Sequence, residues 1–300
     1  QETGLRPGTV SLSLLHSAGK EECGIPMSEN NILRFRKGSA SRQVVAEAYS
    51  ILGNRKSQQD FAGILAYPDK TLAVLCDGMG GLKGGEQASR AAVTMLLEDY
   101  DRRRPGGRMV DFLCEEAARM DARVHGLESG DGRSLDAGTT MVAVVVREDG
   151  LAEWVSVGDS RIYLLHEGVL TQLTRDHNYR NYLEDALKNG TVTQARYDQE
   201  INSRMAEALT SYLGSGKLSQ IDRCRAQLRL WPGDQLLLCS DGLYKSLNSQ
   251  QIKAMLTDNQ TDARVSAKRL ANMALTQAVK KQDNTTVVLI QYRDGKTEGQ

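Results

Sequence analysis

Five aspartates in this sequence each lie where a short apolar run ends or begins. They are Asp60, Asp77, Asp159, Asp241 and Asp283, and glycine directly follows two of them. A carboxylate at the end of a strand is held by the sheet yet reaches solvent, so several at one edge form an all-oxygen site suited to Mg²⁺ or Mn²⁺. A single Asp-Gly pair is more often a turn. The five together predict a divalent-metal site, provided that the fold gathers them at one edge.

The elements that must position these aspartates are short runs rich in Val, Ile and Leu, which are typical of strands. Such runs span residues 44–52, 61–67, 71–76, 139–147, 154–157, 162–165, 236–239 and 285–291. Glu167-Gly168 predicts a hairpin turn between two of the strands. The helical spacing of apolar residues predicts helices over 88–96, 110–124 and 265–278.

This order of elements predicts an α+β domain built in layers with antiparallel sheets, because strands mostly follow one another and helices come in pairs. We assign residues 41–294 to this domain and residues 1–40 to an N-terminal extension. The extension could be an extra strand, a partner contact or a disordered leader. The polar residues 176–219 are expected to form an insertion over one end of the sheets.

The composition argues against two classes of protein, non-specific nucleic-acid binders and integral membrane proteins. The 300 residues hold 38 Lys plus Arg and 38 Asp plus Glu, a balance that argues against a non-specific nucleic-acid binder. No stretch approaches the roughly 18 apolar residues of a membrane helix, and the mean hydropathy is −0.43. Five scattered cysteines without C-x-x-C spacing fit reduced thiols. We therefore expect a cytoplasmic monomer without nucleic-acid partners or membrane insertion.

An ordered set of motifs covers residues 44–291. It consists of Arg55…Asp60, Asp77-Gly78-Met79-Gly80-Gly81, Gly138-Thr139-Thr140, Gly158-Asp159-Ser160-Arg161, Leu173-Thr174-Arg175-Asp176-His177, Ser240-Asp241-Gly242 and Asp283-Asn284. In this combination the chain resembles the metal-dependent serine/threonine phosphatases of the protein phosphatase 2C (PPM) type, in their bacterial branch.

The resemblance implies a fold and a set of residue roles. The fold would be a four-layer α-β-β-α sandwich of two antiparallel sheets flanked by helix pairs, with residues 176–219 as a flap subdomain. Asp77 would bridge two Mn²⁺ or Mg²⁺ ions, and their remaining ligands would be Asp60, Asp241, Asp283 and the Gly78 carbonyl. Asp159 and Asp241 would hold a third, weaker ion. Arg55 would bind the substrate phosphate.

The implied reaction is hydrolysis of phosphoserine and phosphothreonine in proteins without a covalent intermediate. Two cations lower the pKa of a water molecule between them and neutralise the phosphoryl oxygens, while Arg55 adds charge-assisted hydrogen bonds. A nucleophilic cysteine is not expected: Cys114 and Arg119 are one residue too close for the loop of cysteine-dependent phosphatases. Phosphorylated proteins are the expected partners, with a cognate serine/threonine kinase as a further one.

Some residues depart from the family pattern. Gln58 and Gln59 are expected to loosen the surroundings of Asp60, and Met79 takes the place of a histidine proposed as general acid in animal relatives. Thr139, Thr140, Ser160 and Arg161 could act directly or only brace the loops. The alternative to an enzyme is a regulatory binding module with this fold and little turnover, although the complete aspartate set speaks against it.

Overall fold

Two β-sheets stack face to face at the centre of this computed structural model, which describes residues 31–38, 41, 43–79, 84–258, 262–277 and 281–295. The strands are β1 (Ile32–Arg36), β2 (Val44–Ile51), β3 (Asp60–Ala66), β4 (Lys70–Met79), β5 (Gly138–Thr139), β6 (Met141–Arg147), β7 (Leu151–Val157), β8 (Arg161–His166), β9 (Val169–Gln172), β10 (Asp222–Arg223), β11 (Leu228–Arg229), β12 (Gln235–Cys239) and β13 (Thr285–Tyr292).

Helices cover the outer face of each sheet. They are α1 (Gly84–Arg103), α2 (Met109–His125), α3 (Tyr179–Lys188), α4 (Gln194–Glu200), α5 (Asp241–Tyr244), α6 (Ser249–Leu256) and α7 (Ala263–Gln277), with a 3₁₀ turn at Arg204–Glu207. On one side α1 packs on β3 and β4, and α2 packs on α1 and β7; on the other, α7 packs on β2 and β13, and α6 on α7. The predicted four-layer α-β-β-α sandwich is confirmed. Within the described residues, no helix is both long and apolar enough to cross a bilayer.

The larger sheet has the strand order β1-β3-β4-β6-β7-β10, with β5 beside β4 and β11 beside β7. The smaller sheet has the order β2-β13-β12-β8-β9. Between the described strands all pairings are antiparallel except β1 with β3, which run parallel. The first six residues of β6 are buried, because helices cover one face of this sheet and the second sheet covers the other.

The predicted strand runs and helices all appear. Glu167 and Gly168 both adopt positive φ between β8 and β9, as a tight hairpin turn requires. The predicted run 139–147 is divided at Thr140 into β5 and β6, and the short elements β10, β11, α5 and α6 were not predicted. Residue 278, at the predicted end of the third helix, lies outside the described residues.

The strand β1 falls within the predicted N-terminal extension. It pairs with β3 along its whole length, from Ile32 beside Ala62 to Arg36 beside Ala66. Within the described residues, the first strand of the larger sheet therefore lies before the predicted domain start at residue 41. Residues 1–30 of the extension lie outside the described part of the chain.

The predicted insertion at 176–219 contains α3, α4 and the 3₁₀ turn. It is more helical than its polar composition indicated, because it has a small core of its own. Leu183, Ala186 and Val192 are buried together there. A main-chain bridge between Asn178 and Leu209 connects the beginning of this segment to its later part. A second bridge, between Thr139 and Leu213, connects the segment to β5.

The contact between α1 and β3 predicts a stability difference between two leucines. Leu97 is fully buried in α1, where it packs over Gly63 of β3, whereas Leu275 of α7 is exposed. Leu97→Ala should lower the free energy of unfolding by about 2–5 kcal/mol. Leu275→Ala, the same chemical change, should stay within about 0.5 kcal/mol of wild type. Urea unfolding measures both, and equal effects would contradict this packing.

Candidate active site

The pairing of β3 with β4 brings the first two aspartates together. Asp60, the first residue of β3, lies directly opposite Asp77 of β4 in the antiparallel register. Directly opposed residues on one face have Cβ atoms about 4.5–5.5 Å apart. Asp60 is buried, while Asp77 lines an open cleft. Strand pairing thus places two carboxylates side by side at the end of the sheet.

The loop before Asp60 is tightly held. The Gln58 side chain accepts a hydrogen bond from the Asp60 amide at 3.1 Å and donates to Ser50 Oγ and the Ile51 carbonyl at 2.8 and 2.9 Å. Asn31 Nδ2 donates to the Asp60 carbonyl at 2.9 Å. The expectation that glutamine would loosen this loop is wrong, because the longer side chain reaches β2 and anchors the loop there.

The threonine pair braces Asp77 through its main chain. Thr140 Oγ1 accepts from the Asp77 amide at 3.0 Å, and Thr139 Oγ1 donates to the Asp77 carbonyl at 2.9 Å. The Thr140 and Ser160 hydroxyls lie 2.7 Å apart. These hydroxyls connect β4 to the loop that carries Asp159, so their role is to position the aspartates.

The two Asp-Gly pairs need glycine because main chains approach each other closely. A Cβ at Gly78 would lie 2.0 Å from the Gly85 carbonyl oxygen, and one at Gly242 would lie 2.1 Å from the Asn284 carbonyl oxygen. Neither glycine has a positive φ. The glycines therefore let neighbouring segments pack beside Asp77 and Asp241. Residues 80–83 of the glycine-rich motif lie outside the described part of the chain.

Arg55 and Asp283 meet where two loops join. Asn54 exchanges hydrogen bonds with Gln282: its amide donates to the Gln282 carbonyl, and its Oδ1 accepts from the Gln282 amide, both at 2.8 Å. This contact sets Arg55 Nη2 2.5 Å from Asp283 Oδ2. The Arg55 side chain is more than half exposed and lines the cleft.

Asp159 and Asp241 are connected through α5. Asp241 begins this helix, and its Oδ2 lies 2.5 Å from Lys245 Nζ. The Tyr244 hydroxyl donates to the carbonyl and Oδ2 of Asp159 at 3.0 and 3.2 Å. Arg161 packs over the Tyr244 ring at 3.5 Å from its centroid. Arg161 therefore supports this connection and does not line the cleft.

One cleft of about 590 Å³ collects these groups. Its walls include Arg55, Gln59, Asp77, Gly78, Asp159, Glu207, Leu209, Tyr212, Asp241, Lys245 and Asp283. Asp60 lies beneath the floor, where its Oδ2 accepts from Ser240 Oγ at 2.8 Å. All six residues predicted as metal ligands, together with Arg55, are thus at one end of the sandwich.

Burial, with the crowding of carboxylates as a further cause, raises the pKa values of three aspartates in this cleft. Burial, together with the charges of Asp241 and Asp283, raises the pKa of Asp60 from 3.8 to about 7. Burial and the four other carboxylates hold the pKa of Asp77 well above its ordinary value. For Asp159, burial and Asp241 raise the pKa to about 6, against the attraction of Lys245. Burial and the neighbouring carboxylates thus disfavour the ionised forms of Asp60, Asp77 and Asp159.

The residues fit a divalent-cation site by their chemistry. The donors are all oxygens, the groups that Mg²⁺ and Mn²⁺ prefer. Asp60 Oδ1 is buried without a hydrogen-bond partner, and within the described ranges neither Asp60 nor Asp77 forms an ion pair with a cation. The described carboxyl, imidazole and thiol groups include no set of three that is drawn tightly enough together to enclose an ion. Repulsion between carboxylates, and the pairing of Asp241 and Asp283 with Lys245 and Arg55, favour this open arrangement.

The two buried thiols next to the aspartates are poor nucleophiles. Cys76 and Cys239 are fully buried beside the aspartates. Burial raises the pKa of the Cys76 thiol far above its ordinary value and that of Cys239 to about 12. A thiol rather than a thiolate is present near neutral pH, and only the thiolate attacks efficiently.

Sequence reasoning missed several residues that build the site. They are Asn31, Tyr244, Lys245 and the flap residue Glu207. Ser240 was part of a motif, but its hydrogen bond to Asp60 was not predicted. Lys245 lies four residues after Asp241, and this spacing on a helix was the one signal available for it. Asn31 and Ser240 act across the fold, where sequence spacing gives no signal.

A sequence profile described as protein phosphatase 2C matches residues 49–281, well over half of the chain. The chain belongs to the protein phosphatase 2C family. Among curated relatives, serine/threonine protein phosphatase PstP of Mycobacterium tuberculosis is 31% identical over 243 residues. The match covers 77% of this chain and 43% of that protein, so this chain spans less than half the length of the relative.

Solved structures of the family have the same fold. The serine/threonine phosphatase of S. agalactiae is similar with a TM-score of 0.68 and 26% identity, covering 84% of this chain and 100% of that one. The catalytic domain of serine threonine protein phosphatase PstP in complex with two manganese ions gives a TM-score of 0.65 at 27% identity, covering 84% of this chain and 99% of that one.

The raised pKa of Asp60 predicts a pH-dependent gain of stability on its neutralisation. In the metal-free protein, the stabilising effect of protonating Asp60 is complete below its ordinary pKa of 3.8 and is lost as pH rises through about 7. At pH 8, Asp60→Asn should therefore raise Tm by at least about 2 °C, the shift that roughly 1 kcal/mol produces in a domain of this size. At pH 5 the difference should shrink.

Thermal unfolding with a chelator measures this effect. Asp294→Asn, the same change at an exposed position outside the cleft, is the matched control and should leave Tm unchanged at both pH values. A lower Tm for Asp60→Asn than for wild type at pH 8 would contradict this prediction, because it would show that the fold stabilises the ionised form of Asp60.

Proposed function

We propose that this chain is a serine/threonine protein phosphatase that requires Mn²⁺ or Mg²⁺ and forms no covalent intermediate. The observation that carries the proposal is the meeting of Asp60, Asp77, Asp241, Asp283 and Arg55 at one open cleft. Family membership and relatives named as serine/threonine phosphatases support it, as does the manganese complex of PstP.

The aspartates would bind the cations through their carboxylate oxygens, with one carboxylate shared between two ions. Asp77 is the best candidate for the shared ligand, because all four other carboxylates act on its charge. Asp60, Asp241, Asp283 and the Gly78 carbonyl are the remaining candidates. Two bound cations would neutralise phosphoryl oxygens and make a water molecule acidic enough to deprotonate near neutral pH.

Arg55 would orient the substrate phosphate. A guanidinium has five N–H donors in a planar fork, and Asp283 fixes its Nη2 group. The remaining donors can bind two phosphoryl oxygens in the bidentate manner for which arginine is suited. Asp283 would thus act twice, as a cation ligand and as the residue that orients Arg55.

The proposal also includes the substrates of the enzyme, the kinase that opposes it, its location and its oligomeric state. Substrates would be phosphorylated proteins, with a cognate serine/threonine kinase opposing the reaction, and the enzyme would act as a cytoplasmic monomer. The flap residues Glu207, Leu209 and Tyr212 line the cleft and would contact the polypeptide around the phosphorylated residue.

Removing a central carboxylate should abolish turnover. Loss of a residue that merely supports a metal ligand typically costs 10–100-fold, so Asp77→Asn should lower kcat by at least about 100-fold. The measurement is phosphate release from phosphoserine and phosphothreonine peptides with added Mn²⁺. Asp294→Asn serves as the control and should match wild type. Equal activity of Asp77→Asn and wild type would refute the site.

Arg55 should contribute to kcat/KM through its hydrogen bonds to the substrate phosphate as well as through its charge. Hydrogen bonds to charged groups are worth about 1.5–3 kcal/mol, so Arg55→Ala should lower kcat/KM by roughly 10–150-fold. Arg55→Lys should recover only part of this loss, because it keeps the charge but not the fork. Lys56→Ala, one residue away and exposed, is the matched control.

The same phosphate-release assay should include phosphotyrosine peptides. Hydrolysis of phosphotyrosine peptides without hydrolysis of phosphoserine or phosphothreonine peptides would contradict the proposed substrate class. Mn²⁺ binding without turnover of any phosphopeptide would instead favour the regulatory binding module.

A further inference from the structure

Lys245 places a positive charge inside the acidic cleft. It follows the last residue of α5 and lies four residues after Asp241, so its side chain returns along the same face of the helix. Its Nζ lies 2.5 Å from Asp241 Oδ2, and Asp241 is largely buried. Lys245 lines the cleft together with Asp77 and Asp159. Its ammonium group therefore lies among the carboxylates at the wall of the cleft, while 47% of the side chain is exposed to solvent.

The second carboxylate near Lys245 is Asp159. The two side chains attract each other electrostatically. Asp159 Oδ2 also accepts a hydrogen bond from Tyr244, the neighbour of Lys245 in the chain. One end of α5 thus supplies a hydroxyl to Asp159 and an ammonium group to Asp241. Both carboxylates of the expected third-ion position already have partners within the chain.

Carboxylates outnumber cationic side chains in this cleft. Those of Asp60, Asp77, Asp136, Asp159, Glu207, Asp241 and Asp283 lie at or beneath its described walls, against the cations of Arg55 and Lys245. Arg55 is paired with Asp283, so Lys245 is the described lining cation that is available to Asp159 and Asp241.

We propose that Lys245 replaces the third metal ion in this chain. Its ammonium group is the permanent counter-charge of Asp159 and Asp241 and keeps a divalent cation from binding between them. The inference rests on the proposed function, because it presumes that Asp60, Asp77, Asp241 and Asp283 hold the other two ions. Lys245 is a positioning residue: it fixes Asp241 and limits the cleft to two ions.

Counting bound Mn²⁺ tests this inference without relying on activity. Equilibrium dialysis of the full chain would compare wild type with Lys245→Met, which keeps the side-chain length without the charge, and with Lys245→Arg, which keeps the charge. Lys245→Met should bind one more Mn²⁺ per chain than wild type, with weaker affinity than the others. Lys245→Arg should bind the same number as wild type. Adding Asp159→Asn to Lys245→Met should remove the extra ion.

A second comparison does not depend on Lys245→Met folding. Asp159→Asn alone should leave the number of Mn²⁺ ions unchanged, because in wild type Asp159 holds none. Loss of an ion in Asp159→Asn would overturn the inference, and so would equal counts for Lys245→Met and wild type. Both results leave the proposed phosphatase intact. Failure of wild type to bind any Mn²⁺ would overturn the proposed function and this inference together.

Discussion

Repulsion between carboxylates gathered at one end of a rigid sandwich is the constraint on which the rest of this structure depends. Asp60 and Asp77 are opposed in register on neighbouring strands, and Asp241 and Asp283 act on both of them. Such crowding is unfavourable for the metal-free fold, since like charges close together oppose each other's ionisation. Divalent cations bound between the carboxylates, as we propose, would relieve this repulsion.

The scaffold resists this repulsion with hydrogen bonds to the main chain. Gln58 and Asn31 hold the segment before Asp60, and Thr139 and Thr140 hold Asp77 on both sides of its peptide unit. The carboxylates therefore remain near one another without bonds between themselves. Hydroxyl and amide groups are suited to this task, because they stabilise the main chain without adding charge to the cleft.

Much of this arrangement was predictable from the sequence. The five aspartates stand out because each adjoins an apolar run that forms a strand, and the positions of these strands along the chain were predictable from their Val, Ile and Leu residues. Strands β5, β10 and β11 have two residues each, too few to show a period of two. The contact between Ser240 and Asp60 spans 180 residues of sequence, and Lys245 becomes informative only when Asp159 is known to lie nearby. Contacts of this kind depend on tertiary structure, so spacing alone does not reveal them.

The central claim is that these aspartates bind divalent cations at one place, and anomalous diffraction from a crystal of the chain grown with Mn²⁺ tests it most directly. Manganese peaks are expected in contact with the Asp77 carboxylate, with Asp60, Asp241 or Asp283 as further ligands. A crystal with ordered density for these side chains and manganese only elsewhere, or none, would contradict it.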